Sequence, residues 1–329
     1  MDVHASAPGT AHPTAVCCWC DGPLVVGEVD GLRCWACPRD WQRQKAYALT
    51  VPHEKGLRCY NLPLPSQVAI YETPARYVLW GGRAGPGKSH GVRWWLYGRS
   101  LAVPGHEALL LRENWDQLEK HHLRAMEREV GALGGRFYKQ ERKVAFGKGS
   151  TESIIDCGHM ADMDAVGRYL GLEYGAIVPD EASLYPVNSD GVPVIAELST
   201  RARKEYRDRN GTLVEPRFVP VTNPGGPSAA WLRDMFIHHK PDLETFPALR
   251  PVFDETGKQT KGYRPEQWQY IEALLSGNPY MREDYADTDL AVLSKVRHQQ
   301  LAEGDWDVFS GQFFSEWVPS VHIAESVIA

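Results

Sequence analysis

One short stretch limits the fold of this chain more than any other. Residues 82–89 read Gly-Arg-Ala-Gly-Pro-Gly-Lys-Ser and fit G-x-x-x-x-G-K-[ST] at every fixed position. The apolar run "RYVLW" precedes them, and Val92, Trp95 and Leu96 follow at i, i+3, i+4 spacing, the period of one buried helix face. A strand, a glycine loop and a helix in that order form a phosphate cradle. Gly82, Gly85 and Gly87 let backbone N–H groups turn inward at the positive end of the following helix. Lys88 then reaches the β- and γ-phosphates, and the Ser89 hydroxyl ligates Mg²⁺. The alternative, a bare strand-to-helix turn, is disfavoured because a chance match would rarely have both flanks correct.

From about residue 77 to 225 apolar runs alternate with helical patterns. "ARYVLW", "EALLLR", "STESIIDCG", "YGAIVPD" and "RFVPVTN" are the strand candidates. Strands alternating with helices over this length predict an α/β fold, a P-loop NTPase with a mostly parallel central sheet covered on both faces. "YGAIVPDEAS" supplies the second element that phosphoryl chemistry needs. Asp180 is expected to hold Mg²⁺ through water, and Glu181 to orient or deprotonate the attacking water. Two acids at a strand end also occur as a simple surface turn. Pro179 costs one ladder hydrogen bond, which the last position of a strand tolerates. Beyond residue 226 the pattern turns to helices and loops, with "PSAAWLRDMFIHH", "RPEQWQYIEALLSG" and "LSKVRHQQLAEGDWD" predicting a helical cap or lid.

Four of the seven cysteines form two C-x-x-C pairs, Cys17 with Cys20 and Cys34 with Cys37. The segment between the pairs reads as a strand, a turn and a second strand. Two knuckles at the ends of a hairpin bring four thiolates together, as tetrahedral structural Zn²⁺ requires. Redox pairs or disulfides are the other readings, and a cytosolic compartment disfavours them. Cys18 is a spare ligand, and Cys59 and Cys157 read as buried thiols. Trp19, Trp35 and Trp41 read as packing residues of the small module.

The net charge of −6 gives no support to nucleic-acid binding, so a DNA partner would be gripped by local basic patches such as "STRARKEYRDR" at 199–209. No apolar run approaches the ~18 residues that cross a bilayer, and the N-terminus lacks the layout of a secretory signal. A cytosolic protein without a membrane partner is expected.

These residues resemble a known family, the large terminase subunits of tailed bacteriophages, which are DNA-packaging motors. The resemblance spans about residues 62–318. "LPLPSQ" is similar to the family's adenine motif, which makes Gln67 the adenine reader. "LWGGRAGPGKS" is similar to its P-loop, with Arg83 matching the unusual arginine after the double glycine. "ALLLRENWDQL" resembles the strand and arginine that follow, with Arg112 the equivalent. "VTNPGG" resembles the coupling motif, in which Thr222 and Asn223 sense the γ-phosphate and signal to the lid. "GDWDVFSGQFFSEW" resembles the segment that ends the lid. Phosphoryl transfer needs positive charge on the γ-phosphate oxygens, so the resemblance implies that Arg83 acts in cis or that Arg168 acts in trans from a neighbouring subunit. Arg201 and Arg203 match more weakly, as DNA-facing or inter-subunit contacts.

What the resemblance implies is an ATPase that moves double-stranded DNA into a procapsid, with ATP and Mg²⁺ as cofactors. Its implied partners are the portal protein and the small terminase subunit, in a homo-oligomeric ring docked on the procapsid in the host cytoplasm. The organisation expected is a zinc-ribbon module at 1–45, a connector at 46–66, the ATPase core at 67–225, a lid subdomain at 226–318 and a tail at 319–329. Two features depart from the family. The chain ends before any strand that could carry nuclease acids, so DNA cleavage is not expected of it, and the zinc ribbon is not a general terminase feature. Two rival readings stay open at this point, a P-loop helicase or recombination ATPase and a zinc-ribbon adaptor switched by nucleotide.

Overall fold

A computed structural model of the chain describes residues 11–16, 23–27, 31–34, 47–53, 56–61, 63–169, 171–275, 278, 280–282 and 284–309. Near the N-terminus, β1 (Ala11–Val16), β2 (Pro23–Gly27) and β3 (Gly31–Cys34) form a three-stranded antiparallel sheet. The hairpin expected between the two cysteine pairs is present as β2–β3, in register from Leu24 opposite Cys34 to Gly27 opposite Gly31. Cys17, Cys20 and Cys37, like Trp19, Trp35 and Trp41, lie outside the described residues. A second hairpin, β4 (Leu49–His53) with β5 (Gly56–Asn61), follows in the stretch expected as a connector.

The body of the protein is one nine-stranded sheet. All five runs expected as strands enter it. They are β6 (Tyr77–Gly82), β7 (Glu107–Arg112), β10 (Ser153–His159), β11 (Ala176–Pro179) and the broken run of β14 (Arg217–Phe218) and β15 (Val221–Thr222). They pair in parallel, with β7 between β10 and β11 and the 217–222 run between β11 and β6. Two short strands, β8 (Arg136–Tyr138) and β9 (Lys143–Phe146), extend the β10 edge antiparallel. Small hairpins stand apart from this sheet, β12 (Tyr206–Arg207) with β13 (Leu213–Val214) and β16 (Val252–Phe253) with β17 (Gln259–Lys261).

Successive buried side chains along each central strand alternate between two cores. Val78, Trp80, Leu110, Val178 and Val221 face α1 (Pro65–Glu72), α2 (Lys88–Ala102) and the helical stretch from 115 to 133. Leu79, Leu109, Leu111, Ile177 and Phe218 face α5 (Val194–Ser199) and α6 (Ala229–Phe236). Apolar residues on both faces explain why these strands read as continuous hydrophobic runs rather than as alternating ones. The stretch from 115 to 133 is α3 (Trp115–Leu118), a π-turn at Glu119–Leu123, α4 (Arg124–Glu129) and a short 3₁₀ turn. A buried ion pair, Arg93 Nη2 to Glu129 Oε1 at 2.9 Å, ties it to α2. The remaining short helices are α7 (Tyr285–Thr288) and α8 (Lys295–His298), the latter running into a second π-turn at Gln299–Glu303.

One expectation is overturned. "RPEQWQYIEALLSG" does not form a helix. Residues Trp268–Ala273 are strand β18, parallel to β6 along its whole length from Trp268 opposite Tyr77 to Ala273 opposite Gly82. At its C-terminal end Ile271 and Ala273 are buried while Glu272 between them is exposed, the alternation that a strand imposes. Without β18 the P-loop strand would expose one row of N–H and C=O groups beneath packed helices, and such groups need partners. That requirement outweighs a local helical pattern. The segment from 226 onward therefore contributes a strand of the main sheet, paired with β6, as well as helices.

Gly91 shows how tightly α2 seats on β6. A Cβ there would stand 2.6 Å from the Trp80 ring and 3.1 Å from the Gln67 amide carbon. Alanine gains about 1 kcal/mol of helix propensity over glycine, but overpacking a filled core costs about 1–3 kcal/mol. Gly91→Ala is expected to lower the unfolding free energy in a urea titration; an increase would show that Trp80 moves aside freely.

Candidate active site

Parallel strands end on one edge, so their C-terminal residues converge. Here β6 delivers the glycine loop, β7 delivers Arg112, β11 delivers Asp180 and Glu181, and β15 delivers Thr222 and Asn223. The register enforces this. Pro179 stands opposite Leu111, Thr222 stands opposite Gly81, and Asp180 donates its N–H to the Leu111 carbonyl at 2.8 Å. Pro179 is the last residue of β11, where its missing N–H costs the ladder least.

The loop itself is held from three sides. Gly87, the N-cap of α2, has φ 79°, a left-handed conformation that favours glycine. Gln67 packs against it, accepting from the Leu64 N–H at 2.9 Å and donating to the Gly87 carbonyl at 3.2 Å. Lys88 turns inward, its Nζ 2.7 Å from the Arg83 carbonyl and 2.6 Å from Asn223 Oδ1. Burial lowers the Lys88 ammonium to about 8, against the opposing pull of Glu181 and Asp180. On the outer side, the Asn278 amide donates to the Gly85 carbonyl at 2.6 Å, and the Ala84 N–H donates to the Leu301 carbonyl at 2.8 Å.

The acid pair is the centre of charge. Asp180 is almost fully buried, and its Oδ2 accepts from Ser89 Oγ at 2.9 Å, from Arg112 Nε at 3.0 Å and from Arg112 Nη2 at 2.8 Å. His122 Nε2 stands 2.7 Å from the same oxygen. Burial alone would raise this carboxyl, but the His122 hydrogen bond and the Arg112 charge hold it well below the usual carboxylate range. Burial keeps the His122 ring below the usual histidine range, against the opposing pull of its hydrogen bond to Asp180. Glu181 behaves oppositely. Burial and then the Asp180 charge push its pKa up, against Arg112 and Lys88. Two adjacent carboxyls driven apart in this way suit different tasks, one as a fixed anion and one as a proton acceptor.

Among the described residues no three His, Cys, Asp or Glu side chains cluster to hold a metal by themselves. Ser89 and Asp180 bring one hydroxyl and one carboxylate to the N-terminus of α2. That donor set suits Mg²⁺, which keeps several waters and takes further oxygens from substrate phosphates.

No family model matches this chain, and no curated protein matches it. Solved structures do. The large terminase from a thermophilic bacteriophage, in complex with ATP-gamma-S, is similar at TM-score 0.50 and 10% identity, over 74% of this chain and 53% of that one. The same protein in complex with ADP is similar at TM-score 0.50 and 11% identity, over 74% and 54%. This chain shares its fold with a phage large terminase. It spans about half the length of those terminase chains.

Within that fold the residues singled out from sequence divide into two groups. Gly82, Gly85, Gly87, Lys88, Ser89, Asp180, Glu181, Thr222 and Asn223 come together at the C-terminal edge of the parallel sheet. Thr222 is fully buried and its hydroxyl acts on the Glu181 carboxyl. Its Oγ1 accepts from the Ser183 N–H at 3.2 Å and pairs with Ser183 Oγ at 2.8 Å, tying the turn that follows the acids. The Gln67 amide is spent on backbone groups at both ends, so it braces the loop. Arg83 lies half-buried beside Gly304, 3.3 Å from where a Cβ there would stand. Arg168 is exposed on a 3₁₀ turn after β10. Two site residues carry more than sequence reasoning assigned them. Arg112 grips Asp180 and reaches Glu181 at 3.7 Å; a lone arginine closing the run "EALLLR" beside an acid-ending strand was its signal. His122 was missed, because nothing in "EKHHL" distinguishes it from its neighbour His121.

Glu181 has φ 53° and ψ 46°, a left-handed conformation for a residue with a side chain. Such a conformation costs roughly 1–2 kcal/mol, and strain of this kind persists at functional sites where surrounding structure enforces it. Glu181→Gly is therefore expected to raise the unfolding free energy by about 1 kcal/mol in a urea titration; a loss of stability would mean that the Arg112 contact outweighs the strain.

Proposed function

We propose that this chain is an ATP-hydrolysing motor subunit of a phage terminase that moves double-stranded DNA into a procapsid. The observation that carries the reading is the junction at Asp180. The P-loop serine and the acid of the parallel strand one place beyond the 217–222 run meet at 2.9 Å, with a second carboxyl of raised pKa next to them, on a fold shared with the thermophilic phage's large terminase.

In this reading the amides of the glycine loop and Lys88 bind the triphosphate, whose oxygens displace the Arg83 carbonyl and Asn223 amide from Lys88. Mg²⁺ supplies Lewis-acid neutralisation of phosphate charge, held by Ser89 and Asp180. Glu181 takes the proton of the attacking water; its raised pKa makes it a stronger proton acceptor than an ordinary carboxylate. The positive charge that the transition state needs comes from Arg83 in cis or from Arg168 of a neighbouring subunit, whose exposure suits a contact in trans. Asn223 contacts Lys88 directly, so losing the γ-phosphate changes what Asn223 can hold. The stretch that follows it reaches the C-terminal segment, since a Cβ on Gly225 would stand 2.5 Å from Gln300 Oε1. The moving part is the lid at 226–318, whose residues Asn278 and Leu301 contact the loop. The portal protein and the small terminase subunit are its partners in a ring on the procapsid, in the host cytoplasm, and Gln67 lies at the adenine side of the loop. The module at 1–45 holds structural Zn²⁺ on Cys17, Cys20, Cys34 and Cys37.

Steady-state ATP hydrolysis against protein concentration tests the motor. Activity that rises faster than linearly and drops at least about 10³-fold in Glu181→Ala is expected, on the scale of losing a positioned base. Binding without turnover at any concentration, with DNA added, would overturn the reading. Elemental analysis tests the module, with about one zinc per chain expected for a closed four-cysteine site and its loss in Cys34→Ser.

A further inference from the structure

We propose that His122 is a positioning residue for Asp180, which together with Arg112 decides which oxygen of that carboxylate faces the nucleotide cleft. The inference rests on the reading that Asp180 helps to hold Mg²⁺.

Every hydrogen bond that the described residues make to this carboxylate ends on one atom. Oδ2 receives Ser89 Oγ, Arg112 Nε, Arg112 Nη2 and His122 Nε2 within 3.0 Å. A carboxylate oxygen has about two lone-pair directions, so Oδ2 is fully subscribed. Oδ1 is left as the oxygen for a magnesium ion and its water shell. A carboxyl group rotates easily about its last side-chain bond, and an unrestrained Asp180 would exchange its oxygens. Two rigid donors on one side prevent that.

His122 is built for this task. It sits on the π-turn Glu119–Leu123, whose extra residue shifts the following helix face by about one position. The turn is pinned from both sides. Arg93 Nη1 donates to the His121 carbonyl at 3.2 Å, and Leu118, Leu123 and Met126 are buried in the core around it. The ring is fully buried, and its other nitrogen, Nδ1, has no hydrogen-bond partner among the described residues. A histidine kept only to strengthen the core would use both nitrogens, since a buried polar atom left unpaired costs stability. This ring makes a single hydrogen bond there, and that bond goes to Asp180. Arg112 comes from the strand edge and His122 from the helix, so the clamp closes on Asp180 from two independent elements. Groups that orient a metal-binding side chain in this way change metal affinity without touching the metal.

The test uses the full chain and a fluorescent ADP analogue, mant-ADP, titrated with and without Mg²⁺. In His122→Leu the Mg²⁺ concentration for half-maximal tightening of mant-ADP binding should rise about 10-fold, with binding in EDTA unchanged. His122→Gln, whose amide nitrogen can reach Asp180 from the same side, should recover most of the difference. His122→Asn, with a shorter reach, should not. A folded His122→Leu with wild-type Mg²⁺ dependence would overturn the proposal. If the leucine variant fails to fold, equal Mg²⁺ dependence of the glutamine and asparagine variants would overturn it. Wild-type mant-ADP binding that ignores Mg²⁺ would instead overturn the reading of Asp180 itself, and the inference with it.

Discussion

The buried carboxylate of Asp180 is the interaction on which the rest of the site depends. An isolated anion under the sheet edge would be prohibitively costly, and this one is stable because donors from separate elements converge on it. Ser89 comes from the start of α2, Arg112 from the end of β7, and His122 from the π-turn between α3 and α4. Each of those elements is fixed in turn by the core. The carboxylate therefore acts as a keystone. Its donors also shape its neighbour, because the charge they hold on Asp180 pushes the Glu181 carboxyl up.

The sheet provides the geometry that makes such convergence possible. Parallel strands in close register end together, so groups far apart in sequence share one edge. Lys88 and Asn223 stand 135 positions apart in sequence, yet their side chains meet at 2.6 Å. The far side of the P-loop strand is closed by β18, which brings the C-terminal segment into the same framework. Asn278 and Leu301 then reach the loop through Gly85 and Ala84. A segment anchored in the sheet by one strand and resting on the loop by its remainder is well placed to respond to what the loop holds.

Much of this was legible in the chain. The five central strands announce themselves because burial on both faces forces continuous apolar runs, and the glycine loop does so because only glycine tolerates its backbone. The acid pair was visible for the same reason, standing at the end of one such run. Less was legible where a residue's neighbours come from elsewhere. β18 carries apolar residues at a spacing that also fits a helix, and only the open edge of β6 selects the strand. The bracing of the loop by Gln67 through Leu64 and Gly87 was not legible either, because it depends on where the loop folds back.

The amino-acid sequence by itself determined the local parts, namely a strand that must turn at glycines, a helix that must begin at Lys88, and a run that must end in two acids. These follow from backbone sterics and hydrophobic period, which act over a few residues. Tertiary structure alone decided which partners those parts would meet. His122 rather than His121 faces Asp180 because the π-turn alters the helix phase, and Arg112 grips the acids because β7 and β11 are adjacent in the sheet. Both outcomes rest on packing between elements distant in sequence, where the cost of leaving a charge or a backbone group unpaired selects one arrangement among several that local propensity allows.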